Sequence, residues 1–246
     1  MFFDDVQINF SNHDFPVSEN TTLKIRDGKL LNCNLIGEGE LSVVLGDGTF
    51  NVDSPEYENV SFTDLALHGE NNIAAGNCST HGTVVNNGSL QNYVYDGILN
   101  VYDDFMNNGV IKDNSNSYPF TIRLYGDFYN NGSLTNEYFY PYSSGDQSIT
   151  MLNGNTYSPV NFKSYKPSGK MIMATNIEFQ NCIIDMQGDT LYVQDDILTH
   201  INGGLMQNTP LKANAAKSSH IRLLMENNAY LQNSHIYNPE ILGKVL

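Results

Sequence analysis

The sequence predicts an all-β chain wound into a right-handed parallel β-helix of roughly 21–23 residues per rung, and three observations carry that expectation. The first is a repeat. Asn86-Asn87-Gly88-Ser89-Leu90, Asn107-Asn108-Gly109-Val110-Ile111 and Asn130-Asn131-Gly132-Ser133-Leu134 are one pattern, recurring after 21 and then 23 residues. The second lies just upstream, where Leu99-Asn100-Val101-Tyr102-Asp103-Asp104-Phe105-Met106 aligns with Ile122-Arg123-Leu124-Tyr125-Gly126-Asp127-Phe128-Tyr129. Both read as an alternating strand, a polar corner and an aromatic strand. The third is composition: roughly one residue in eight is Asn, mostly beside Gly, Asn or Ser, and apolar runs at helical spacing are scarce.

A period near 22 with short strands implies stacking, because each rung leaves strand edges that only another rung can pair, at about 4.8 Å per layer. Asn87, Gly88, Asn108, Gly109, Asn131 and Gly132 are therefore expected to form a structural ladder at one corner. There Asn would tolerate left-handed dihedrals and Gly would supply positive φ. A degenerate copy is read at Asn227-Asn228-Ala229-Tyr230-Leu231. A second signature is read at Asn32-Cys33-Asn34-Leu35, Asn181-Cys182-Ile183-Ile184 and Asn233-Ser234-His235-Ile236, with Asn77-Cys78 a partial copy. Its cysteines are expected to be free buried thiols rather than bridges. The competing architecture is a meander of hairpins, since Asn-Gly is also a hairpin signal, but hairpins recur about every 8–12 residues. Lys212 to Met225 is the best helical candidate.

With no break in composition, residues 1–246 are expected to form a single solenoid domain, a fragment or mature part of a longer exported protein. The formal net charge of −15, with 12 Lys and Arg against 27 Asp and Glu, argues against a nucleic-acid partner, which needs a basic stripe. It equally disfavours an anionic membrane surface. No apolar stretch is long enough to span a bilayer as a helix, and residues 1–10 do not read as a signal peptide. Three cysteines without metal-like spacing favour neither a disulfide framework nor a zinc site.

The Asn-Asn-Gly-x-Leu/Ile corners, the Gly126 to Gly132 run and the Asn-Cys-x-Ile strands resemble the right-handed parallel β-helix repeats of large secreted surface proteins. They are most similar to Bacteroidota exported proteins, including cargo of the type IX secretion system. The likeness is good from about Asn77 to Tyr140 and patchy elsewhere; a C-terminal sorting domain is not recognisable. The resemblance implies a secreted or cell-surface location and little about activity, because such solenoids serve as adhesins, stalks and polysaccharide-degrading enzymes alike.

The chemistry-bearing candidates are few. β-Helix glycosidases project a carboxylate pair from one strand face, so Asp103, Asp104, Asp195 and Asp196 are the first places to look. Neighbouring strand residues point to opposite faces, so each pair would need a partner rung. The Asn-Thr-Asp, Gly-His-Gly and Arg-x-Lys strands of polygalacturonase-like enzymes are missing, and Asp103-Asp104 reads as a solvated corner equivalent to Gly126-Asp127. A pectate-lyase mechanism would need Ca²⁺ carboxylates and a basic residue, whereas Arg123 and Arg222 read as solvated strand positions. Asp47, Asp53 and Asp127 in Gly-rich turns are the weak option for Ca²⁺; otherwise no cofactor or metal is expected. His13, His68, His81, His200, His220 and His235 show no ligand spacing. Tyr138-Phe139-Tyr140-Pro141-Tyr142 interrupts the repeat and reads either as a protruding aromatic platform for sugar rings or as cover for the core.

The functional expectation is a non-catalytic structural or adhesive module of a secreted or cell-surface protein, with polysaccharide or other surface components as partners. The alternatives are a carbohydrate-active β-helix hydrolase or lyase, and an extracellular element that self-associates through its solenoid ends.

Overall fold

A computed structural model describes residues 2–17, 23–37, 42–45, 56–62, 64–67, 70–73, 76–92, 97–113, 119–135, 138–152, 156–157, 161–214 and 221–241. Among these every element is a strand and every strand pairing is parallel, so the chain is an all-β solenoid. The hairpin alternative is excluded for the described residues.

Three faces run along the coil. On the first, Gly76–Thr80, Gly97–Val101, Phe120–Leu124, Tyr138–Pro141, Asn161–Lys163, Ile183–Asp185, Leu205–Gln207 and Tyr230–Gln232 stack in turn. On the second, Asp64–Leu67, Val84–Asn86, Phe105–Asn107, Phe128–Asn130, Gln147–Met151, Met171–Met173, Leu191–Val193 and Leu211–Ala213 do the same. The third carries Glu70–Ile73, Ser89–Asn92, Val110–Lys112 and Ser133–Thr135, and then Ile177–Gln180, Leu198–Asn202, Ile221–Glu226 and Pro239–Ile241.

Strand alternation points one set of side chains inward, and register stacks them into columns. Cys78, Leu99, Ile122, Phe139, Phe162, Ile184 and Met206 form one buried column. Val84, Phe105, Phe128, Ile149, Met173 and Val193 form another. Phe128 and Phe139 bridge the two columns at 4.8 Å between ring centroids.

The segment from Tyr138 to Tyr142 is therefore no protruding loop. Tyr138–Pro141 is a strand of the stack, with Phe139 in the core and Tyr138 and Tyr140 turned outward. The helix expected over Lys212 to Met225 is also corrected: Leu211–Ala213 and Ile221–Glu226 are strands, because Ile221 and Leu223 alternate into the core and stacking outweighs local propensity. Residues 215–220 lie outside the described set.

Candidate functional site

The repeat motif builds a ladder, with its inner half one residue earlier than expected. In Val84-Val85-Asn86, Phe105-Met106-Asn107 and Phe128-Tyr129-Asn130, alternation turns the first and third residues inward, so Asn86, Asn107 and Asn130 are fully buried. Asn86 Nδ2 donates to Asn107 Oδ1 at 2.8 Å, and Asn107 Nδ2 to Asn130 Oδ1 at 2.7 Å. The amide orientations are set by the backbone at the corner: Asn86 Oδ1 accepts from the Gly88 N–H, while Asn86 Nδ2 also donates to the Val110 carbonyl. Corner groups that sheet pairing leaves open thus find partners.

Asn87, Asn108 and Asn131 do stack, as an outer and more exposed ladder in which Asn108 Nδ2 donates to Asn87 Oδ1 at 2.9 Å and Asn131 Nδ2 to Asn108 Oδ1 at 3.4 Å. The reason for Gly109 and Gly132 differs from the one expected, and Gly88 also lacks the positive φ expected of it. None of these corner residues has positive φ; instead a Cβ on Gly109 would lie 1.9 Å from the Gly88 carbonyl oxygen, and one on Gly132 would lie 1.9 Å from that of Gly109. Close approach of successive rungs, not dihedral freedom, demands glycine there.

The later motifs occupy other corners. Left-handed Asn does occur, at Asn181, Asn208, Asn227, Asn228 and Asn233 among others. Asn227-Asn228, however, follow a third-face strand, whereas Asn86 ends a second-face strand and Asn87 follows it, so the copy near the end is not the same rung position. The Asn-Cys signature likewise splits. Cys78 lies within a first-face strand, and Cys182 precedes one. Neither thiol is in a disulfide and both are buried, and burial pushes the Cys182 thiol far up. The side chain of Cys33 lies outside the described set.

The candidate carboxylates are not brought together. Asp103 and Asp104 lie at the corner between first and second faces; Asp195 and Asp196 lie between second and third, with Phe128–Asn130, Gln147–Met151 and Met171–Met173 stacked in between. Asp104 Oδ1 accepts the Asp127 N–H at 2.8 Å, and Asp127 Oδ1 accepts the Ser148 N–H at 2.7 Å. Each carboxylate caps the backbone of the next rung, which is ordinary corner work. Asp103 is exposed and accepts a long 3.4 Å bond from Thr83. Asp47 and Asp53 lie outside the described residues, and no group of three or more His, Cys, Asp or Glu among those described could hold a metal ion.

Arg123 is less solvated than expected: its guanidinium lies 5.6 Å from the Tyr142 ring and its Nε is buried. Arg222 reaches the Asp196 carbonyl at 3.4 Å. His13 meets the Phe10 carbonyl, His81 stacks on Tyr102 and His235 abuts Tyr237, while the side chains of His68 and His220 lie outside the described set.

Two polar groupings were missed from sequence. His200 sits between glutamates of the rungs on either side, with Nδ1 3.6 Å from Glu178 Oε2 and Nε2 3.1 Å from Glu226 Oε2. Asn202 Nδ2 holds the other Glu178 oxygen at 2.6 Å. The 22-residue step from Glu178 to His200 was the available signal. The second is Lys166, which is buried, with Nζ donating to the Ser143 carbonyl at 2.9 Å, the Gly145 carbonyl at 2.6 Å and Gln147 Oε1 at 2.9 Å. Desolvation lowers its pKa to about 8.

A sugar platform at Tyr138 to Tyr142 needs open ring faces. Tyr142 instead lies between Tyr125, at 5.6 Å, and Tyr165, at 5.2 Å and 16° from parallel. Neighbours on both sides leave Tyr142 no open face for a sugar ring, which weakens that reading. Against family models, curated proteins and solved structures, the chain gives no match.

Proposed function

We propose that this chain is a non-catalytic structural or adhesive module of a secreted or cell-surface protein, of the kind its repeats resemble among Bacteroidota exported proteins. One observation carries the reading: the repeat's polar side chains bond rung to rung, as Asn86, Asn107, Asn130, Asp104 and Asp127 do, rather than converging on a shared opening. Such investment favours a stiff rod, and flat strand faces suit broad contact with polysaccharide or other surface components.

The test is incubation of the purified chain with acidic and neutral polysaccharides, following new reducing ends, unsaturated products and retention on the polymer. Retention without turnover is expected; sustained turnover would overturn the proposal. A carbohydrate-active enzyme is the second reading, and the observation that favours it is Glu178 and Glu226 flanking His200. Turnover abolished by Glu226→Gln would assign the chemistry there.

A further inference from the structure

An aromatic residue lies just past the first-face strand in five successive rungs: His81, Tyr102, Tyr125 and Tyr142 follow it directly, and Tyr165 comes two residues after Lys163. Backbone pairing holds them in line. The Tyr102 N–H donates to the Thr80 carbonyl, Tyr125 to Val101, Tyr142 to Leu124 and Tyr165 to Pro141, at 2.8–2.9 Å. The rings consequently form one row, with centroids 5.0 Å apart for His81 and Tyr102, 4.7 Å for Tyr102 and Tyr125, 5.6 Å for Tyr125 and Tyr142, and 5.2 Å for Tyr142 and Tyr165. The row faces solvent: Tyr102 is 44% and Tyr165 39% exposed.

We propose that this row is a site of oxidative modification, in which a one-electron oxidant such as a haem peroxidase with hydrogen peroxide couples Tyr102 to Tyr125 as a rung-to-rung dityrosine. The proposal goes beyond the module reading and does not depend on it. Each phenol gives up one electron and its hydroxyl proton, placing radical character on the ring carbons beside the oxygen. Two such carbons form a bond, and the displaced ring hydrogens return to the oxygens to restore both phenols. In total the protein loses two hydrogen atoms, and one peroxide is reduced to two waters.

Tyr102 and Tyr125 are the favoured pair on three counts. Their 4.7 Å separation is the shortest in the row and is close to that of two directly bonded phenol rings. The rings are tilted by 33°, as are those of Tyr125 and Tyr142, but only the first pair includes exposed Tyr102, which has room to turn edge-on. Cations instead lie over the rings farther along, Arg123 over Tyr142 and Lys163 over Tyr165. Fixed proximity also favours internal coupling over collision between molecules.

The whole chain would be treated at low concentration with haem peroxidase and limiting peroxide, then followed by dityrosine fluorescence, intact mass and peptide mapping. The expected product is a folded monomer lighter by two hydrogen atoms, with the Tyr102 and Tyr125 peptides joined. Tyr102→Phe keeps a ring in the row and should lower internal cross-linking by about tenfold. The proposal is overturned if the products are chiefly dimers, if the joined peptides pair other tyrosines, if Tyr102→Phe cross-links as well as the parent, or if protein unfolded in urea gives the same linkage in equal yield.

Discussion

The carbonyl oxygen of Gly88 lies 1.9 Å from where a Cβ on Gly109 would be, so at Gly109 successive rungs come closer than any side chain permits. The same relation links Gly109 to Gly132. Gly109→Ala should therefore destabilise the coil by about 3 kcal/mol, since backbone on both rungs must shift. Gly145→Ala is the control: its Cβ would meet only Ser143 Oγ, at 3.5 Å, and it should cost less than about 0.5 kcal/mol. Urea midpoints of the two variants check this.

The two Asn ladders should differ sharply in worth. Asn107→Ala removes the middle of the buried ladder and leaves Asn86 and Asn130 short of a partner inside the protein, at a cost of about 3 kcal/mol. Asn108→Ala breaks exposed bonds that water replaces and should cost about 0.5 kcal/mol or less. Thermal or urea unfolding of both variants measures the gap.

Lys166 gives a pH dependence whose sign is fixed by its burial. Its folded pKa of about 8 lies below the ordinary 10.5, so between these values the unfolded chain binds more protons. Its contribution makes stability rise as pH climbs from about 8 towards 10.5, because the cost of burying the charge disappears. Lys166→Met should lack this rise. Urea unfolding of both proteins across that range, compared as a difference, isolates it.

The architecture was legible because the spacing of the Asn-Asn-Gly motifs is itself the length of a rung. The ladder was half legible. The motif spacing alone points to the second Asn of each motif as the ladder, although the alternation in Phe105-Met106-Asn107 already turns the first Asn inward with Phe105. Asn227-Asn228 misled because Asn marks a turn without marking which corner turns. The Glu178, His200 and Glu226 contacts span rungs whose sequences have drifted: register pairs Glu178 with His200, whereas Glu226 stands opposite Asn202 and reaches across to His200. Lys166 was illegible for a different reason: its acceptors include two backbone carbonyls of the Ser143 to Gly145 turn, which residue types do not reveal.

Parallel in-register stacking of rungs is tested most directly between Met106 and Tyr129, register partners on neighbouring strands of the second face, with side chains turned outward. Their Cα atoms should lie about 4.8 Å apart. The double variant Met106→Cys, Tyr129→Cys would be treated with a short thiol-to-thiol cross-linker that fluoresces only when both ends react, and the linked peptides mapped. Rapid linkage of these two cysteines within a folded monomer is expected; a folded monomer in which neither joins the other would contradict the stacked coil.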